Sequence, residues 1–130
     1  MSKTAYNPDT MNTPFGIFSN ATLAGPGQLY FISGQVAVDA AGNLVGKGDI
    51  RAQTRQVLEN IKAALAAVNG TMDDIVSVTV FVKNMDDLAA IHEVRADYWQ
   101  SAYPASTLVQ VSAFTSPEYL IEINAIAVVP

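Results

Sequence analysis

His92 and Arg95 are the residues of this sequence whose type and spacing first suggest chemistry. Three positions apart, they lie on neighbouring turns of one face if the segment is helical. Histidine alone has an ordinary pKa near neutrality, and this chain has one. Beside a cation an imidazole is held toward its neutral form, in which it acts as a general base and, once protonated, as a general acid. Arg95 has Ile91, His92, Tyr98 and Trp99 three and four positions away, so no carboxylate within the helix pairs with it. It must reach an acid on another segment, another subunit or a ligand, or extend its head to water.

A second group surrounds Tyr103-Pro104-Ala105-Ser106-Thr107, where a helical segment gives way through a proline to a strand. Ser106 and Thr107 are read as hydrogen-bond donors to a small ligand or as structural hydroxyls, since no Gly-x-Ser-x-Gly elbow accompanies them. Ser33-Gly34-Gln35 places a glycine inside a strand, where a ligand or another backbone approaches closely or a bulge forms. Glu122 and Asn124 alternate onto one face of a late strand, and Glu122 needs a partner or water if it is buried. Gly25-Pro26-Gly27 precedes a strand rather than a helix, so it is no phosphate loop.

The elements that position these residues are read from periodicity. Met1 to Pro14 has turn formers and no period, which predicts an extended arm. Ser19 to Ala24 and Leu29 to Val38 read as strands joined by Gly25-Pro26-Gly27-Gln28 into a hairpin. Asp49 is a good N-cap, and Ile50, Thr54, Val57, Leu58, Ile61, Leu65 and Val68 recur at helical spacing until Asn69-Gly70. Ile75 to Val82 is a β-branched strand with Val76, Val78, Val80 and Val82 on one face. A second helix runs from Asn84-Met85-Asp86 to about Ala102, and strands follow at Thr107 to Phe114 and Tyr119 to Val129, which are expected to pair side by side.

This order predicts one α+β domain over residues 1–130, a mixed sheet with two helices on one face. Period-2 counting puts Ser33, Gln35, Ser77, Thr79, Gln110, Ser112, Glu122 and Asn124 beside Leu29, Phe31, Phe81, Leu108, Leu120 and Ile126 on the uncovered face. Large apolar groups without a cover predict burial against another subunit.

Composition narrows the function. The 130 residues suit one domain, and 50% are hydrophobic, enough for a core. With no cysteine and one histidine, neither a disulfide framework nor a histidine or thiolate metal site is expected. The formal charge is −5 and the 7 basic residues are scattered singly, which argues against nucleic acid as a partner. No stretch approaches the roughly 18 apolar residues of a membrane span, so a soluble, cytoplasmic protein is expected.

Pro14-Phe15-Gly16-Ile17-Phe18-Ser19, Phe31-Ile32-Ser33-Gly34-Gln35, Gln53 to Lys62, Asp74 to Val82 and Ile121 to Val128 together resemble the reactive intermediate deaminase (Rid, YjgF-type) family along nearly the whole chain. The resemblance implies a chorismate-mutase-like fold, a homotrimer with its sheets packed inward, and small-molecule clefts between subunits. Its best-known branch hydrolyses enamines and imines to 2-keto acids and ammonia without a cofactor. That branch reads Pro-Ala-Arg-Ser where this chain has Pro104-Ala105-Ser106-Thr107, so the carboxylate-binding arginine is replaced by Ser106. Its water-positioning glutamate falls at Asn124, which orients a water but is no base. Its tyrosine falls at Phe18 and its helix-borne asparagine at His92.

The expectation is therefore a divergent member that deaminates an enamine, an imine or a related metabolite, not the usual 2-imino acids. His92 and Asn124 are its candidate catalytic residues; Phe18, Ser33, Gly34, Arg95, Ser106, Thr107 and Glu122 are its candidate substrate contacts. The alternative is a trimeric small-molecule binding or regulatory protein without turnover. Ribonuclease activity or translation inhibition, also attached to the family, is disfavoured by the acidic charge.

Overall fold

The computed structural model describes residues 3–130. Strand β1 (Lys3–Tyr6) pairs antiparallel with β2 (Ala21–Ala24) in a small two-stranded sheet. The main sheet contains β3 (Gln28–Gln35), β4 (Ile75–Val82), β5 (Ala105–Gln110) and β6 (Ile121–Val129), in the spatial order β3-β6-β4-β5. Helix α1 (Ile50–Ala66) and helix α2 (Leu88–Arg95) complete the α+β fold. Neither helix is long and apolar enough to cross a membrane.

Helix α1 starts and stops as its sequence dictates. Asp49 Oδ1 accepts from the Ala52 N–H at 3.1 Å, which satisfies one of the donors left free at a helix start. At the other end Asn69 takes a left-handed conformation (φ 59°), and the Gly70 N–H donates to Leu65 O at 2.9 Å. Val57, Leu58, Ile61 and Leu65 are fully buried. They belong to the same core as Val78, Val80 and Val82 of β4 and Ile121, Ile123, Ala125 and Ala127 of β6. Burying an aliphatic side chain of this size contributes about 1.5–3 kcal/mol, so this face fixes the register of the central strands.

Two local expectations are corrected, and a third gains detail. The segments around Gly25-Pro26-Gly27 do not form a hairpin, because β2 pairs with β1 while β3 pairs with β6. Gly27 (φ 149°) lets the chain change sheets: a Cβ there would meet Val129 O at 2.6 Å. Within the segment expected to be an extended arm, Lys3–Tyr6 is strand β1, paired with β2. The last two strands are not neighbours either, since β4 lies between them, parallel to β5 and antiparallel to β6. The connection through α2 thus makes β4 and β5 a parallel pair, which requires such a crossover.

Helix α2 is shorter than its periodicity suggests. After Arg95 the Asp97 N–H donates to Val94 O and the Tyr98 N–H to Arg95 O, tightening the last turn before Ala102 turns left-handed (φ 51°). Trp99 is nonetheless buried, with its Nε1–H donating to Met72 O at 3.1 Å.

The register also revises the uncovered face. Ser77, Thr79 and Phe81 stand opposite Ala105, Thr107 and Val109, whereas Val78, Val80 and Val82 stand opposite Ser106, Leu108 and Gln110. Leu108 and Gln110 therefore point to the helix side, where Gln110 Oε1 accepts from the Met85 N–H at 2.9 Å. The uncovered side keeps Leu29 (62% exposed) and Phe31 (69% exposed), beside Thr79, Phe81, Glu122, Asn124 and Ile126.

Candidate functional site

The segment before β2 is anchored to the start of β5. The Ser19 N–H donates to Pro104 O at 3.0 Å, the Ser19 hydroxyl donates to Tyr103 O, and Ser19 bridges Ala105 in parallel. This lays Phe15-Gly16-Ile17-Phe18 over the junction of α2 and β5. Phe15 and Phe18 meet edge to face, with ring centroids 5.3 Å apart and planes at 78°. Both rings line a cavity of about 250 Å³ together with Met85, Leu88, His92, Arg95, Ser106 and Leu108.

Two groups from α2 hold the overlying loop through Ile17. Arg95 Nη2 donates to Ile17 O at 2.9 Å and to Ser106 Oγ at 3.3 Å. The Ile17 N–H donates to His92 Nδ1 at 3.5 Å, a long hydrogen bond that orients the ring. Gly16 is required by this packing, because a Cβ there would lie 2.6 Å from His92 Cε1.

Arg95 is the unusual group. It is 1% exposed, and no carboxylate lies within ion-pair distance of it among the described residues. Its guanidinium carbon sits 5.7 Å from the centre of the Trp99 ring, and its Nε is buried without a hydrogen-bond partner. Burial alone pushes its pKa down to about 10, still protonated at neutral pH. His92, half-buried, has its pKa lowered first by burial and then by the Arg95 charge, so it is neutral at pH 7. The arrangement is a cation and a neutral imidazole in a largely apolar hollow, able to receive an anion and to shuttle a proton.

The residues singled out in the sequence fall into two groups. Phe18, His92, Arg95 and Ser106 meet in this cavity. Thr107 does not join them, because adjacent strand residues point to opposite sides and Thr107 stands level with Thr79 and Asn124 on the uncovered face. Glu122 also lies there, and a Cβ on Gly34 would collide with its Oε2. Ser33 and Gly34 occupy the irregularity between Ile32 and Gln35, the bulge that an interior glycine signals. Glu122 lines a separate hollow of about 300 Å³ with Phe81, Val111 and Phe114. Within one protomer the sheet thus separates Asn124, Glu122, Ser33, Gly34 and Thr107 from His92 and Arg95.

Sequence reasoning missed Phe15, Met85, Leu88 and Leu108 as lining residues. Periodicity alone puts Leu88 in a core stripe and Leu108 on the uncovered face. The signal that singles out Phe15 is its position beside Gly16 in a short apolar stretch, yet only the fold brings that stretch to α2.

Residues 10–129 match the family described as Endoribonuclease L-PSP. A RutC family protein of Pyrococcus horikoshii is 46% identical over 114 residues, 88% of each chain. Among solved structures, the Rid-family protein YyfB of Yersinia pestis is 40% identical and superposes with a TM-score of 0.92 over 99% of this chain and 100% of that one. RidA of an Antarctic Psychrobacter is 31% identical, with a TM-score of 0.73 over 97% and 99%. The chain belongs to this family, the YjgF/Rid family.

Proposed function

We propose that this protein is a cofactor-free hydrolase of small carboxylate-bearing enamines or imines other than the short 2-imino acids. The carrying observation is Arg95, a cation 1% exposed at the cavity with no acid to neutralise it among the described residues. An unpaired buried charge is costly, and a ligand carboxylate is the partner that would offset it with charge-assisted hydrogen bonds. Rid-named relatives support membership of the family, and the reaction class is what the resemblance to that family implies.

In the proposed reaction an enamine first tautomerises to the imine. Water then adds to the C=N carbon, forming a C–O bond; the adduct collapses to a carbonyl as the C–N bond breaks. The balance is imine plus water to keto acid plus ammonia, without oxidation or reduction. Among the lining residues His92 is the group suited to take a proton from the water and return it to the leaving nitrogen. Ser106 helps hold Arg95 in place.

The same reading makes the working form a homotrimer. A neighbour would present Asn124 as a water-orienting amide, with the Ser33-Gly34 bulge, toward the His92 and Arg95 cavity. This reunites two sets of residues that one protomer keeps on opposite sides of its sheet.

Ribonuclease activity, which the family's description names, finds little support in the charges. Lys47, Arg51 and Arg55 are paired with Glu118, Glu93 and Asp97, while Lys3 and Arg95 are buried. A net charge of −5 leaves little positive surface to neutralise a phosphate backbone.

The test uses imines formed in situ by an amino-acid oxidase and trapped by semicarbazide. Loss of the trapped product with the wild type, but not with His92→Gln or Arg95→Met, supports the hydrolase. Tight ligand binding without faster hydrolysis of any imine would make it a binding protein instead.

A further inference from the structure

We propose that the cavity selects monocarboxylates carrying one bulky apolar tail, aryl or branched alkyl, and discriminates against short or doubly charged acids. The inference deepens the functional reading and rests on it for the location of the site. Among the described residues of one protomer, Arg95 is the only charged group of the lining, and its hydrogen bonds to Ile17 and Ser106 both leave from Nη2. There is one place for one anionic group.

The rest of the wall selects the tail attached to that carboxylate. Phe15, Phe18, Met85, Leu88 and Leu108 offer aromatic and aliphatic surface. Ser106 and His92 are the other polar members that one protomer supplies, the Ser106 hydroxyl is already engaged by Arg95, and the Asn124 that a neighbour would add carries no charge. A second carboxylate would have to lose its water against apolar side chains with no cation to meet it. A volume of about 250 Å³ corresponds to about eight waters at roughly 30 Å³ each. A two- or three-carbon acid would leave most of that space unfilled, whereas an acid of about ten non-hydrogen atoms brings enough apolar surface to be selected by burial. The edge-to-face pair of Phe15 and Phe18 offers a ring of the ligand a third partner in the same geometry. Met85, unbranched and polarizable, adapts to branched or planar tails.

Calorimetric titration of the wild-type protein with unreactive acids tests this without any turnover. The probes are 3-phenylpropanoate, propanoate, phenylsuccinate and the uncharged 3-phenylpropanamide. The expected result is that 3-phenylpropanoate binds at least about 30-fold tighter than each of the other three, from burial of the ring and pairing of the single charge. Phe18→Ala should shrink the advantage over propanoate while leaving the advantage over the amide. Equal binding of propanoate and 3-phenylpropanoate, or tighter binding of phenylsuccinate, would overturn the proposal. The two readings fail separately. Selective binding without imine hydrolysis keeps this inference and removes the hydrolase, and hydrolysis that is fastest for long polar or doubly charged imines does the reverse.

Discussion

Arg95 Nη2 lies 3.3 Å from Ser106 Oγ, so a guanidinium carried by α2 meets the residue at which the resemblance to Rid proteins implies a cleft arginine. On the proposed reading, the helix-borne charge of Arg95 serves where the resemblance implies a strand-borne one. Glu122, an acid on β6, belongs to the opposite face of the sheet and leaves Arg95 unpaired within the protomer.

The first prediction concerns stability. A pKa held at about 10 rather than near 12.5 corresponds to about 3 kcal/mol against the charged form, present in full at neutral pH and relieved only as pH rises above 10. Two hydrogen bonds and the Trp99 ring offset part of it. Arg95→Met should therefore leave stability in urea unchanged or higher by about 1–2 kcal/mol, while anionic ligands bind about 30-fold to 1,000-fold more weakly. A loss above about 2 kcal/mol would give Arg95 a structural role.

Moving the charge back is the second test. Ser106→Arg sets a second cation against Arg95 and should destabilise by about 1–3 kcal/mol. Combined with Arg95→Met it should be tolerated and regain affinity for carboxylates. Stability changes that simply add in the double variant would show that the two positions do not share one charge site.

His92 gives a pH signature. Its folded pKa lies below the ordinary 6.5, through burial first and Arg95 second, so the unfolded chain binds more protons once pH falls under 6.5. Its contribution to stability is thus complete above that pH, is lost on acidification, and levels off below the folded value. Denaturation midpoints at pH 7.5 and 5.0 should differ more for the wild type than for His92→Gln. Equal differences in the two proteins would rule out a titrating, half-buried His92.

Assembly is tested through Leu29 and Phe31, 62% and 69% exposed on the sheet face that no helix covers. Sedimentation equilibrium should return three times the 13.8 kDa chain mass, and Phe31→Glu should shift it toward the monomer. A wild-type monomer at micromolar concentration would contradict the composite site.

What the sequence conveyed depended on the range of the interactions involved. Helix α1 is legible to its caps because Asp49 and Asn69-Gly70 act on their own neighbours. The Gly27 turn reads as a hairpin because local turn chemistry does not say whether β3 pairs with β2 or with β6, far away in the chain. Ser106 and Thr107 look like one binding pair, but strand alternation sends them to opposite faces. Arg95 is conspicuous in the sequence for lacking an acid within its helix. Its contacts with Ile17 and Ser106 needed the fold to bring the loop of residues 15–18 onto α2 and β5.

The central claim is that the Arg95 guanidinium receives the ligand carboxylate, and its side-chain ¹H–¹⁵Nε resonance reports that contact directly. Arg51 and Arg55, held in surface ion pairs with Glu93 and Asp97, serve as internal references in the same spectrum. Titration with 3-phenylpropanoate should shift the Arg95 signal to saturation, leave the other two in place, and have no counterpart in Arg95→Met. Saturable binding that moves Arg51 or Arg55, or no arginine at all, would contradict it.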